Sequence, residues 1–162
     1  MSTVTCLSAS LSLSKRFLKL LLMKKLSILI ADDAPDVCSL LTHWLRSHHT
    51  ACVHSGSEAL TALSLLHFDL VITDVLMPDV SGLDVIRRLK QTQPWVKVLA
   101  ISGGGRFANA SDCVAQANEI GADEVLLKPF DETQLQQRVR ALMGVVEGST
   151  DALVESSNEQ PA

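Results

Sequence analysis

The chain has no tyrosine, and its few Phe and Trp bring the aromatic content to only 4%. Little material is left for the aromatic platforms on which single-stranded nucleic acids stack. An excess of positive charge is also missing: 14 Lys and Arg stand against 18 Asp and Glu, a net charge of -4. Nonspecific nucleic-acid binding needs clustered cations, so no direct nucleic-acid contact is expected. The four cysteines, at positions 6, 38, 52 and 113, show no close metal-ligand spacing. They read as buried or inert thiols in a reducing cytoplasm. His43, His48 and His49 suit helix-end and surface roles better than a metal site. No apolar run is long enough to span a bilayer, since Phe17 to Leu22 is far too short, and no stable membrane insertion is expected. Gly103-Gly104-Gly105 is followed by Arg106 and lacks the Lys-Ser/Thr pair of a nucleotide-binding P-loop.

What is present is a repeated pattern. A chain of 162 residues with 47% hydrophobic content can bury the core of one globular domain. Short apolar runs bounded by turn residues read as buried strands of a parallel sheet. Leu26 to Ala31 ends in Asp32-Asp33, and Leu70 to Thr73 ends in Asp74. Val96 to Ile101 ends in Ser102-Gly103, and Glu124 to Leu127 ends in Lys128-Pro129. Ligands of open α/β sheets bind outside the carboxyl ends of the strands, where these groups would collect. Three crowded carboxylates repel one another unless a hard, oxygen-seeking cation neutralises them, and Mg2+ is the natural choice. A lysine and a hydroxyl beside such a cluster suit an incoming phosphoryl group.

These residues resemble the receiver domain of two-component response regulators. The matching pieces are Ala31-Asp32-Asp33, Asp74 to Gly82, Ile101-Ser102-Gly103, Gly121-Ala122-Asp123 and Lys128-Pro129-Phe130. The likeness covers roughly residues 26 to 144 and implies a flavodoxin-like, doubly wound (βα)5 fold with a five-stranded parallel sheet. It implies that Asp74 is the phospho-acceptor, that Asp32 and Asp33 hold Mg2+, and that Leu76 lends the metal its main-chain carbonyl. Ser102 matches the switch hydroxyl, and Lys128 the lysine that pairs with the phosphoryl group, across a Lys128-Pro129 bond that is cis in the family. The implied partners are a histidine kinase or histidine phosphotransfer protein and a downstream protein target. The implied role is a phospho-acceptor rather than an enzyme. A phosphatase with an aspartyl-phosphate intermediate is the alternative, although Leu76 stands where such enzymes resembling haloacid dehalogenases carry a second Asp. A phosphorylation-independent binding module is the other, disfavoured because all the acids and the lysine are present. Val125 replaces the aromatic residue usual three positions before the lysine. Leu76 and Gly104 occupy the positions bordering the path of a hydrolytic water, and neither can hold one.

The remaining chain fits around this core. Pro35 opens a first helix with Val37, Leu40, Leu41, Trp44 and Leu45 on one apolar stripe. Ala51-Cys52-Val53 reads as a second strand, and Ser55 with Glu58 as a capping box for a helix through His67. A third helix spans Gly82 to Lys90, with Leu83, Ile86 and Leu89 inward and Arg87, Arg88 and Lys90 outward. A fourth spans Asn109 to Ile120 with Gly121 as its cap, after a long glycine-rich segment read as a mobile switch loop. Asp131 caps the last helix, with Leu135, Val139 and Leu142 inward. The receiver-like unit is placed at 25–144. Residues 1–24 read as a disordered extension or a mis-assigned start, with weak amphipathic membrane contact as an alternative. The acidic, Ser-rich 145–162 reads as a disordered tail, and the whole as a stand-alone, chemotaxis-regulator-like receiver.

Overall fold

The computed structural model describes residues 25–103 and 110–144. The expectations for 1–24, for Gly104 to Asn109 and for 145–162 lie outside these residues. Five strands alternate with five helices: β1 (Ser27–Ala31), α1 (Pro35–Trp44), β2 (His49–Val53), α2 (Gly56–Leu65), β3 (Leu70–Asp74), α3 (Gly82–Thr92), β4 (Lys97–Ser102), α4 (Ala110–Ile120), β5 (Glu124–Leu127) and α5 (Glu132–Leu142). The strands form one parallel sheet in the order β2-β1-β3-β4-β5. This is the doubly wound fold expected from the sequence.

Side-chain alternation along the strands divides the core between the two faces of the sheet. Leu29, Val71, Val98 and Ala100 pack beneath α2, α3 and α4 with Ala59, Val85, Ile86, Leu89 and Ala117. Ile28, Ile30, Leu70, Ile72, Leu99 and Ile101 face α1 and α5, against Leu41, Leu45, Leu135 and Val139. No described helix is long and apolar enough to cross a membrane.

Local expectations hold in outline, with three corrections. Leu40 is exposed, and Cys38 takes its place in the buried stripe of α1. A stripe read at strict helical spacing admits Leu40 because it neighbours Leu41, but the helix turns that side chain off the sheet. Lys90 does not point outward: its ammonium donates to the Val96 carbonyl at 2.9 Å and to Asp123 at 2.6 Å. The Asp123 carboxylate also accepts from Lys97 and from the Val98 amide, each at 2.9 Å. Burial works against its charge, but these donors outweigh it and hold the carboxyl below its usual range. At α2, Ser55 caps the Glu58 amide as expected, but the Glu58 side chain accepts from His54 N rather than from Ser55 N. A full capping box is found at α5, between Asp131 and Gln134.

Two glycines are dictated by close backbone approaches. A Cβ on Gly56 would run into the Val80 carbonyl, and one on Gly82 into the main-chain oxygen of Asp74. The second contact presses the start of α3 against the end of β3. Gly82→Ala should therefore lower the unfolding free energy by about 2 kcal/mol, the typical cost of overpacking. Urea denaturation followed by circular dichroism measures this, and an unchanged midpoint would show that the two elements separate freely.

Candidate functional site

The sheet order makes β1 and β3 neighbours whose following helices lie on opposite faces. The crevice between their carboxyl ends is the topological switch point. Register places Ala31 beside Thr73, so Asp32 and Asp33 leave β1 next to Asp74 at the end of β3. Asp74 pairs with Ile101, and Ser102 pairs with Leu127, which brings the hydroxyl and Lys128 to the same edge. The sequence-derived candidates Asp32, Asp33, Asp74, Ser102 and Lys128 thus converge.

Carboxylate oxygens of Asp32, Asp33 and Asp74 all lie within 4.8 Å of one another. Asp32 is 1% exposed and Asp74 7%, while Asp33 faces solvent. Each buried acid is aimed by a main-chain amide two residues ahead: Ala34 N donates to Asp32 Oδ1, and Leu76 N to Asp74 Oδ1, both at 2.9 Å. Their other oxygens share one cation. Lys128 Nζ donates to Asp32 Oδ2 at 3.1 Å and to Asp74 Oδ2 in a closer ion pair. Burial opposes the lysine's charge, but the hydrogen bond and charge of Asp74, and then those of Asp32, outweigh it. The ammonium is held above the usual lysine pKa.

The Lys128-Pro129 peptide is cis, as expected. Gly103 leaves room for the lysine stem, since a Cβ there would lie 3.4 Å from Lys128 Cδ. Ser102 is fully buried, yet its hydroxyl oxygen has no hydrogen-bond partner among the described residues. Such an unpaired polar atom is costly in a core, and the cost is removed by a ligand with oxygens to accept from it. Val125 packs half-buried against the α2–α4 side of the core. Leu76 is 44% exposed beside the cluster.

The donor set is entirely oxygen, and among the described residues one lysine, paired with Asp32 and Asp74, offsets its three carboxylates. It fits a hard divalent cation better than a thiophilic or imidazole-seeking metal. Sequence reasoning missed the seat of the loop that carries Leu76. Asp79 adopts a left-handed backbone (φ 66°), and its carboxylate accepts from Ser57 Oγ at 2.6 Å at the start of α2. That bond, with further main-chain donors from Val80, Gly56 and Ser57, holds the Asp79 carboxyl below its usual range. The only sequence signal was the turn composition Pro78-Asp79-Val80-Ser81-Gly82, which marks a loop but not its anchor.

Comparison with known proteins agrees with this geometry. Residues 28–140 match the family model described as the response regulator receiver domain. The DNA-binding response regulator MtrA of Mycolicibacterium smegmatis is 36% identical over 116 residues, covering 70% of this chain and 49% of MtrA. The transcriptional regulatory protein TcrA of Mycobacterium tuberculosis is 33% identical over 117 residues, covering 71% of this chain and 45% of TcrA. The chain thus spans about half the length of the curated relatives it matches. Among solved structures, a putative response regulator from Chloroflexus aurantiacus superposes with a TM-score of 0.67 at 28% identity, over 75% of this chain and 99% of that one. The signal receiver domain of a histidine kinase from Syntrophus aciditrophicus gives 0.65 at 31% identity, over 80% and 98%. The fold, the acidic switch-point cluster and these likenesses together place the chain in the response regulator receiver domain family of two-component systems.

Proposed function

We propose that Asp74 accepts a phosphoryl group from a histidine kinase or histidine phosphotransfer protein in the cytoplasm, and that a protein target reads the altered surface. The observation that carries this reading is a cluster of three carboxylates, two of them bridged by one lysine, beside a buried hydroxyl that has no partner among the described residues. Asp32, Asp33 and Asp74 would hold Mg2+ together with the Leu76 main-chain carbonyl, and the ion would neutralise the negative charge that repels an anionic donor. An Asp74 oxygen attacks phosphorus, the bond from phosphorus to the donor nitrogen breaks, and its electrons stay with the departing imidazole. The Lys128 ammonium, already within reach of Asp74, pairs with the transferred oxygens. The Ser102 hydroxyl donates to another. Positioning and charge compensation supply most of the catalysis available to phosphoryl transfer.

Small donors need no kinase, so acetyl phosphate should label the protein in Mg2+ and not in EDTA. Asp74→Asn should carry no base-labile phosphate, and Asp33→Ala should lose labelling through weakened metal binding. Mass spectrometry of the labelled chain decides this: full labelling of Asp74→Asn would remove Asp74 from its assigned role.

The chain's own residues supply little to the reverse reaction. The Leu76 side chain beside the site can neither orient nor deprotonate a water, and the same holds for Gly104, which lies outside the described residues. Self-dephosphorylation should be slow. Leu76→Asn combined with Gly104→Glu should speed it roughly ten-fold, about 1.4 kcal/mol of barrier. Decay of the phosphorylated protein after donor removal measures the rate, and equal decay in the double variant would show that these positions do not set the water path.

A further inference from the structure

We infer that Cys38 and Cys52 form a peroxide-driven disulfide that links α1 to the edge strand and weakens the acidic site. The two thiols come from different elements and meet behind the β1–α1 turn. Cys52 Sγ lies 3.8 Å from the Cys38 carbonyl and 3.1 Å from Thr42 Oγ1, one helical turn further along α1. Cys38 Sγ lies 3.8 Å from the carbonyl of Val53, the residue after Cys52. Each sulfur therefore sits against the main chain of the other's element.

Their exposures divide the labour. Cys52 is exposed and Cys38 is 2% exposed, so a small hydroperoxide reaches Cys52 first. The Cys52 sulfur, having released its proton, attacks the outer peroxide oxygen. The O–O bond breaks, and the alkoxide takes the proton and leaves as an alcohol. The product is a sulfenic acid, which condenses with a nearby thiol. Cys38 attacks that sulfur, the S–O bond breaks, and hydroxide leaves as water with the Cys38 proton. Two thiols have lost two electrons, and the peroxide has gained them. Cys113 is buried on the opposite face of the sheet and cannot compete.

The effect on the site follows from what Cys38 touches. Its thiol donates to the Asp32 main-chain oxygen at 3.4 Å, and its amide donates to Ala34 O at 3.1 Å. Ala34 N in turn holds the Asp32 carboxylate. A bond to Cys52 removes the thiol donor and draws the first turn of α1 toward β2, so the acid pair shifts. This regulatory half rests on the proposed metal-binding role of Asp32 and Asp33. The disulfide itself does not.

Arg46 lies between the two cysteines, so trypsin separates them unless they are linked. Full-length protein treated with tert-butyl hydroperoxide and digested without reductant should yield the peptide ending at Arg46 joined to the one beginning at Ser47. The intact mass should fall by two hydrogens. Mg2+ affinity, measured by isothermal titration, should weaken roughly ten-fold, as when a supporting contact of a metal ligand is lost, and recover on adding a thiol reductant. Cys52→Ala, an exposed substitution, should show neither change. Oxidation that stops at Cys52 sulfinic acid with Cys38 still alkylated after unfolding, or a link joining two chains, would overturn the disulfide. A mapped disulfide with unchanged Mg2+ affinity would overturn the regulatory half. Because peptide mapping needs no phosphorylation, failure of Asp74 to accept phosphate would leave the disulfide result standing.

Discussion

Three carboxylates cannot share a small volume without something positive between them, and in this molecule Lys128 is that something. Its ammonium bridges Asp32 and Asp74, which come from strands 42 residues apart. Both acids are almost fully buried, so their charges are poorly screened and their orientation is fixed by single main-chain amides. Breaking one partner out of such a group leaves an uncompensated charge in a low-dielectric crevice. The strand order, the glycine at 103 and the inward lysine are all conditions for that one bridge. The rest of the fold supplies a rigid frame around it.

The bridge also bears on the proposed chemistry of the site. Lys128 offsets one charge and leaves the cluster anionic, a donor set that would suit a divalent cation. In the proposed reaction the same lysine lies where transferred oxygens would arrive, beside the buried Ser102 hydroxyl, which has no partner among the described residues. Asp79, anchored on the start of α2, steadies the loop that follows Asp74. Cys38 supports the opposite wall through the Asp32 carbonyl. Phosphoryl transfer and thiol oxidation would therefore act on one small group of backbone contacts from two sides.

The strands and their terminal chemistry were legible in the sequence because both are local. An apolar run followed by a carboxylate, hydroxyl or lysine names a strand and its end together. Gly121 and Asp131 were legible as caps for the same reason. What could not be read depends on contacts distant in sequence. Lys90 looked like part of a solvated basic face because its partner, Asp123, lies 33 residues on. Leu40 and Cys38 are both plausible stripe residues, and only the docking angle of α1 on the sheet decides between them. The approach of Cys38 and Cys52 sets a helix against an edge strand, so linear spacing held no trace of it. Asp79 on Ser57 escaped notice likewise, since loop composition does not say which helix a loop will meet.

The claim most open to direct test is that Asp32, Asp33 and Asp74 form one cation site in which Lys128 bridges Asp32 and Asp74. Amide NMR of the uniformly labelled chain during a Mg2+ titration addresses it without kinase, donor or variant. The account predicts saturable shifts concentrated at Asp32 to Ala34, Asp74 to Leu76, and Leu127 to Lys128. Shifts spread over the acidic surface without saturation, or centred on His43 to His49, would contradict it.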